Sequence, residues 1–282
     1  MQTLTSIAEM RAACRLLRLK SKSCLGFVPT MGALHNGHLS LVRMALEQCD
    51  SVAVSVFVNP RQFGPGEDLA AYPRTPGLDA DMLHSSGVDL LFLPAAWEMY
   101  PADFSTFVTV EGLSDRLCGG SRPGHFRGVT TVVAKLLNIV QPDKAFFGQK
   151  DAAQVAIIRK MVADLGCPVE VVTGEIVREP DGLAMSSRNA YLTAEERVQA
   201  TVLARALQEV ALLVGAGITD SRRLIAAALE TFALEPDVQV DYVSVVDPDT
   251  LLPVEEVGRG ALVAVAALAG STRLIDNVIV RS

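Results

Sequence analysis

Apolar, β-branched runs recur along the first part of the chain, at 25–29, 52–58, 89–93 and 169–172, with a shorter one at Ala145-Phe146-Phe147. Helical patterns lie between them, near 38–49, 76–86, 129–140 and 151–165. Strands that alternate with helices predict a parallel sheet with helices on both faces, a Rossmann-like, doubly wound α/β domain. In such a sheet ligands gather at the carboxyl ends of the strands.

The pattern changes near 176–193. Arg178-Glu179-Pro180-Asp181-Gly182 reads as a turn, and Met185-Ser186-Ser187-Arg188-Asn189 follows it. Two helix patterns come next, 194–214 and 218–233, then strand patterns at 238–246, 261–267 and 274–280. Thr193 with Glu196 three residues on predicts a capping box at the first of these helices. The expected organisation is therefore a larger domain at 1–176 and a smaller C-terminal α+β domain at 177–282. Gly- and Pro-rich stretches at 59–66 and 119–128 read as loops. The second carries Arg122, His125 and Arg127 within six residues, either a solvated turn or a lid that faces an anion.

Composition narrows the class of partner. Half of the 282 residues are apolar and one fifth are charged, enough for a packed core. The net charge of -7 argues against general nucleic-acid binding, which needs a basic surface. Cys14, Cys24, Cys49, Cys118 and Cys167 are odd in number and widely spread, which suits reduced thiols and not a disulfide framework or a zinc cluster. The N-terminus has no signal-peptide pattern, and no apolar run reaches the length of a bilayer span. A cytoplasmic protein with no membrane partner is expected.

The candidate chemistry begins at Phe27-Val28-Pro29-Thr30-Met31-Gly32-Ala33-Leu34-His35-Asn36-Gly37-His38. A strand ends, a small-residue turn follows, and two imidazoles appear three apart as a helix opens. Helix N-termini present unpaired N–H groups and a positive dipole end, which suits phosphate. Imidazoles there can donate to phosphate oxygens as charge develops. Gly32 and Gly37 let backbone approach a ligand. His35 and His38 could share one helix face as metal ligands, but no third ligand lies nearby in sequence.

Further polar groups follow other core strands. Asn59 and Gln62 follow the second, and Gly148-Gln149-Lys150-Asp151 follows the short Phe146-Phe147 strand, with Gln154 one turn on. Lys150 and Arg188 can neutralise polyphosphate charge, Arg in a fork geometry. Ser186 and Ser187 add neutral donors.

Taken in order, PTMGALHNGH at 29–38, FVNPRQFG at 57–64, YPRT at 72–75, SRPGHFRGV at 121–129, FFGQKD at 146–151 and DGLAMSSRNAYL at 181–192 resemble the pantoate–β-alanine ligase family. The His-x-Gly-His alone is shared by many nucleotidyltransferases and class I tRNA ligases, and the full series is far more specific. Met185–Arg188 is similar to that superfamily's Lys-Met-Ser-Lys-Ser type of loop. The resemblance implies condensation of pantoate with β-alanine at the expense of ATP, through a pantoyl adenylate. It implies that Met31, Gly32, Ala33, Leu34, His35, Asn36, Gly37 and His38 line the ATP site, with His38 stabilising the reacting phosphate and His35 assisting. Lys150 and Arg188 would take up charge on the α-phosphate and pyrophosphate. Gly148, Gln149 and Asp151 would hold the ribose and phosphate side. Val177, Met185, Ser186, Ser187 and Arg188 would hold the adenine end and close the site, making the C-terminal domain a lid. Gln62 and Gln154, with Asn59, would grip pantoate. Mg²⁺ would accompany ATP, its ligands in the protein unknown, and the family implies a homodimer; the apolar runs at 52–58 and 107–110 do not contradict one.

The chain departs from the family pattern at Gln149 and Cys118, where Glu is common, and at Ala152-Ala153, where larger residues are common. Two other readings stand beside the resemblance. One is another adenylyltransferase acting on a different acid or phosphate acceptor, which Gln62 and Gln154 argue against. The other is a catalytically silent nucleotide-binding module.

Overall fold

The computed structural model describes residues 1–20 and 24–281. They group into two compact units. The first comprises Met1–Ser114, Arg122–Gly148 and Ile157–Glu175. The second comprises Asp115–Ser121, Gln149–Ala156 and Ile176–Ser282.

In chain order the elements up to residue 174 are β1 (Gln2–Leu4), α1 (Ile7–Lys20), β2 (Leu25–Thr30), α2 (Asn36–Gln48), β3 (Ser51–Val56), α3 (Pro76–Ser86), β4 (Leu90–Phe92), α4 (Ala96–Met99), α5 (Cys118–Ser121), α6 (His125–Val140), β5 (Lys144–Gly148), α7 (Ala152–Asp164) and β6 (Glu170–Gly174). Single 3₁₀ turns sit at Pro60–Gln62 and Gln149–Asp151. The six strands form one sheet in the order β1-β4-β3-β2-β5-β6, every pair parallel. The order reverses between β2 and β5, and this is the switch point where a doubly wound sheet opens a crevice at its carboxyl edge. The Met31–His38 turn leaves β2 at that edge, and Gly148 ends β5 there.

Strand alternation buries both faces of this sheet. Val28, Val52, Val54, Leu91 and Phe146 meet Leu41, Val42 and Ala45 of α2 and Leu83 of α3. Phe27, Ala53, Leu90, Phe92, Ala145 and Phe147 are also buried and alternate with them along their strands. Helix α3 is delimited as its sequence dictates, by Pro76 in its first turn and by Gly87 in the left-handed conformation (φ 90°) after its last.

In the second unit α8 (Ala194–Ala200), α9 (Val202–Gly215) and α10 (Ser221–Phe232) are followed by β7 (Val238–Val246), β8 (Ala261–Ala269) and β9 (Thr272–Val280). The strands form an antiparallel sheet, β7-β8-β9, with a register shift in β7 between Val240 and Tyr242. Leu203, Leu207 and Val210 of α9 and Leu224, Ala228 and Phe232 of α10 pack with Val245, Val263, Val265 and Leu274. Leu203→Ala in this core would cost about 2–5 kcal/mol. The capping box forms, with Thr193 and Glu196 each accepting the other's backbone N–H.

Several expectations need correction. The sequence reading passes over β1, α1 and α4; β1 and α4 are short, whereas α1 does carry a helical stripe, with Met10, Ala13 and Cys14 buried. The 119–128 stretch is not a continuous loop, because α5 occupies part of it and α6 begins at His125. The apolar stripe from Phe126 through Val140 extends that helix back to the Pro123-Gly124 turn. Residues 107–110 form no strand; Val108 instead exchanges hydrogen bonds with Thr130 and Thr131 of α6. The 52–58 run is the interior strand β3, between β4 and β2. Ala194–Gly215 is, by length and hydropathy alone, long and apolar enough to cross a bilayer. Its buried Val202, Leu203, Ala206, Leu207, Val210 and Val214 identify it as a core helix of the second unit.

Candidate active site

In the first unit the turn after β2 is pinned by a carboxylate that the sequence reading missed. Asp79 of α3, 1% exposed, accepts the N–H of Ala33 at 3.1 Å and of Leu34 at 2.9 Å, and the Thr75 hydroxyl at 3.1 Å. Gly32 has φ 83°, and a Cβ there would stand 2.9 Å from both Asp79 Oδ2 and Val56 Cγ1. No motif flags Asp79, because its partners lie about 45 residues away in sequence.

The two histidines begin α2 by capping it reciprocally. His35 Nδ1 accepts the Gly37 N–H at 3.2 Å, and His38 Nδ1 accepts the His35 N–H at 3.3 Å. Their ring centroids are 4.1 Å apart. An Nδ1 that accepts a backbone N–H carries no proton, so in each neutral ring the proton sits on Nε2. The helix cap thereby selects the tautomer that can donate from Nε2 to an oxyanion.

Behind this turn lies a chain of buried amides. Tyr100 donates from its hydroxyl to Asn59 Oδ1 at 2.8 Å, and Asn59 Nδ2 donates to Gln62 Oε1 at 3.0 Å and to the Gly128 carbonyl at 3.1 Å. Burial pushes the Tyr100 phenol up, against the Arg61 charge, so it remains a donor. Gln62 Nε2 points to Met31 Sδ at 3.1 Å. A thioether is a weak acceptor, so a ligand oxygen would displace it readily. Asn59 and Gln62 are 1% and 9% exposed.

Arg122 and His125 turn inward, whereas Arg127 stays exposed. Arg122 forks onto Glu67, and His125 Nδ1 contacts the Gln62 carbonyl at 2.8 Å. Arg127 stacks 3.8 Å over the Phe107 ring. Arg122 and His125 brace the turn that carries Gln62. Gly148 ends β5 with open space where a Cβ would be.

The second unit holds the other candidate residues. Lys150 lies 3.9 Å from Asp151, in the turn that precedes α7, and Gln154 is half-buried on that helix. Val177 accepts the Met185 N–H at 2.9 Å, closing a hairpin whose strands pair at Arg178 and Ala184. Ser186 caps the 3₁₀ turn Ser187–Tyr191, its Oγ 3.3 Å from the Arg188 N–H, and buried Asn189 donates to the Ala184 carbonyl. Gln149 donates to Asn277 Oδ1 at 3.0 Å. Cys118 Sγ lies 3.2 Å from the Tyr242 hydroxyl and 3.6 Å from Arg273 Nη1. Among the described residues no group of three or more His, Cys, Asp or Glu is placed to hold a metal ion.

The chain as a whole is similar to known proteins. The chain matches the family model for pantoate-beta-alanine ligase over residues 2–279. It is 57% identical to the pantothenate synthetase of Koribacter versatilis over 100% of this chain and 97% of that protein. The Acidobacterium capsulatum pantothenate synthetase is 58% identical over 99% and 97%. The solved pantothenate synthetase of Thermus thermophilus superposes with a TM-score of 0.94 at 48% identity, over 99% of each chain. The pantoate-beta-alanine ligase of Francisella tularensis, solved with beta-gamma ATP and beta-alanine, superposes at 0.82 with 32% identity, over 99% of this chain and 97% of that one. The doubly wound sheet with its smaller antiparallel domain is the architecture of these enzymes, and this chain belongs to the pantoate–β-alanine ligase family.

Proposed function

We infer that this chain condenses pantoate with β-alanine, consuming ATP and releasing AMP and pyrophosphate. Family membership over residues 2–279 leaves no support for a different acceptor acid or a silent nucleotide-binding module. The observation that carries the site assignment is the reciprocal cap of His35 and His38, which sets both rings to donate from Nε2 at the start of α2.

The reaction runs in two displacements. A pantoate carboxylate oxygen attacks the α-phosphorus, and the bond to the bridging oxygen breaks as pyrophosphate leaves. The β-alanine nitrogen then attacks the acyl carbon, loses a proton, and AMP departs with the acyl–oxygen bond's electrons. Neither step needs a nucleophile from the protein; both need alignment and stabilised charge. His38, assisted by His35, donates to the reacting phosphate. Met31, Gly32, Ala33, Leu34, Asn36 and Gly37 offer backbone to the nucleotide. Lys150 and Arg188 take up charge on the α-phosphate and on departing pyrophosphate. Gly148, Gln149 and Asp151 serve the ribose side, and Val177 with Met185, Ser186 and Ser187 the adenine side.

Gln62 and Gln154, with Asn59 behind, hold pantoate through its hydroxyl and carboxylate oxygens. A buried amide that loses its partner discriminates strongly against analogues that lack the oxygen. Mg²⁺ would accompany ATP and offset phosphate charge, without a cluster of His, Cys, Asp or Glu among the described residues to hold it. Along the sequence, residues 1–176 supply the ATP- and pantoate-binding segments and residues 177–282 contribute Val177 and Met185–Arg188, while Lys150 and Gln154 group with the second unit. A cytoplasmic homodimer completes the proposal, and sedimentation equilibrium tests the dimer.

The deciding experiment measures AMP and pyrophosphate release from Mg²⁺–ATP with pantoate, with and without β-alanine. AMP release that requires both acids is the expected result. Pyrophosphate release indifferent to pantoate would overturn the assignment.

A further inference from the structure

Asp276 and Asn277 are neighbours on β9, 2% and 3% exposed, and their side chains serve two different segments. Asp276 takes the Arg178 guanidinium in a fork, Nη1 to Oδ2 at 2.6 Å and Nη2 to Oδ1 at 3.0 Å. Arg178 Nη1 also donates to the Gly182 carbonyl at 3.0 Å. Those bonds fasten the hairpin whose outgoing strand runs directly into Met185–Arg188. Asn277 Nδ2 donates to the carbonyls of Gln149 at 3.0 Å and Lys150 at 2.9 Å. Two carbonyl acceptors fix which end of the amide is nitrogen, so Oδ1 faces the Gln149 side chain and accepts from it. The Asn277 N–H donates to Asp276 Oδ1 at 2.8 Å and joins the two anchors. Successive strand side chains point to opposite faces, so a single strand step sets the spacing of two separate segments.

We propose that Asp276 and Asn277 are the positioning residues for Lys150 and Arg188, Asn277 holding the backbone of the first and Asp276, through Arg178, the segment of the second. The proposal rests on the reading that these two cations take up phosphate charge. It also accounts for an amide at Gln149: in this arrangement a carboxylate there would meet Asn277 Oδ1 acceptor to acceptor, whereas the amide supplies the missing donor.

The test uses the full chain, single-turnover pyrophosphate release and amide hydrogen exchange. Asn277→Ala is expected to slow pyrophosphate release roughly 100-fold, as a misplacement of about 1 Å does, with pantoate KM nearly unchanged. Asn277→Asp is expected to fare no better, because it cannot donate to the two carbonyls. In a Lys150→Ala background the Asn277→Ala change is expected to cost little, because residues that act as a unit are not additive. Full additivity would overturn the proposal. Normal turnover by Lys150→Ala alone would instead overturn the underlying assignment of Lys150, and hydrogen exchange then still judges the brace. Asn277→Ala must raise exchange over 149–156 while 178–188 stays protected, and Asp276→Asn must do the reverse. A uniform rise across β7–β9 in either variant would make the pair a core element only and overturn the proposal.

Discussion

A Cβ on Gly128 would stand 2.1 Å from the carbonyl oxygen of Arg61. Helix α6 and the Pro60–Gln62 turn therefore meet backbone to backbone, and only glycine allows it. Gly128→Ala is expected to displace Gln62 and to cost about 1–3 kcal/mol in stability. Pantoate KM should rise more than ATP KM, as steady-state kinetics and thermal denaturation of the one variant would show. An unchanged pantoate KM would separate Gln62 from pantoate.

The reciprocal histidine cap lets structural and chemical roles be separated. His38→Asn places an acceptor near the Nδ1 position but offers nothing at Nε2. Turnover is expected to fall roughly 10²–10³-fold, the loss of one transition-state donor, with ATP affinity and melting temperature nearly unchanged. His38→Gln, which reaches toward Nε2 and gives up the cap, should lose stability instead, by about 1 kcal/mol. Equal turnover in wild type and His38→Asn would remove His38 from the chemistry.

Burial works to raise the Glu67 carboxyl, but its hydrogen bonds and the Arg122 charge outweigh that and hold it below its ordinary 4.5. A carboxylate with a depressed folded value adds stability above its unfolded pKa and loses it as pH falls through the folded one. Below pH 4.5 the Arg122 brace should weaken, and the turn that carries Gln62 with it. Urea titrations at falling pH should show a smaller acid loss in Glu67→Gln than in wild type. Parallel curves would mean that the pair adds nothing.

Cys24 and Cys49, 25 residues apart in sequence, have sulfurs 3.0 Å apart. Both thiols are free, and their proximity is not legible in the sequence. Diamide treatment is expected to remove two of the five thiols and to link these two residues, as peptide mapping would detect. Burial and the neighbouring Cys24 push the Cys49 thiol up to about 12, so thiolate is scarce near neutrality and the reaction should accelerate as pH rises. Persistence of all five thiols would refute the pairing.

The parallel sheet and the His-x-Gly-His turn were legible because each is written in consecutive residues. Apolar runs mark β2, β3 and β5, and Gly32 and Gly37 mark the turn. Thr193 and Glu196 announced their capping box for the same reason. Asp79, Tyr100 and Gly128 were not legible, since each acts on a partner brought near only by folding. The Gly-Pro setting of Arg122 and His125 leaves a solvated turn and an anion-facing lid equally open, whereas in the fold Glu67 and the Gln62 carbonyl receive them. Short β1 and the four-residue α4 carry too few positions for periodicity to speak.

The second unit is assembled from three stretches of chain, two of them interrupting the first unit's sequence. A fragment that begins at residue 176 would leave Asn277 without the Gln149 and Lys150 carbonyls, and Asp241 without the Ser121 hydroxyl. The unit is thus not a cassette. It cannot be grafted between relatives by a single crossover, and chimaeras joined at that point should misassemble unless residues 115–121 and 149–156 travel with it.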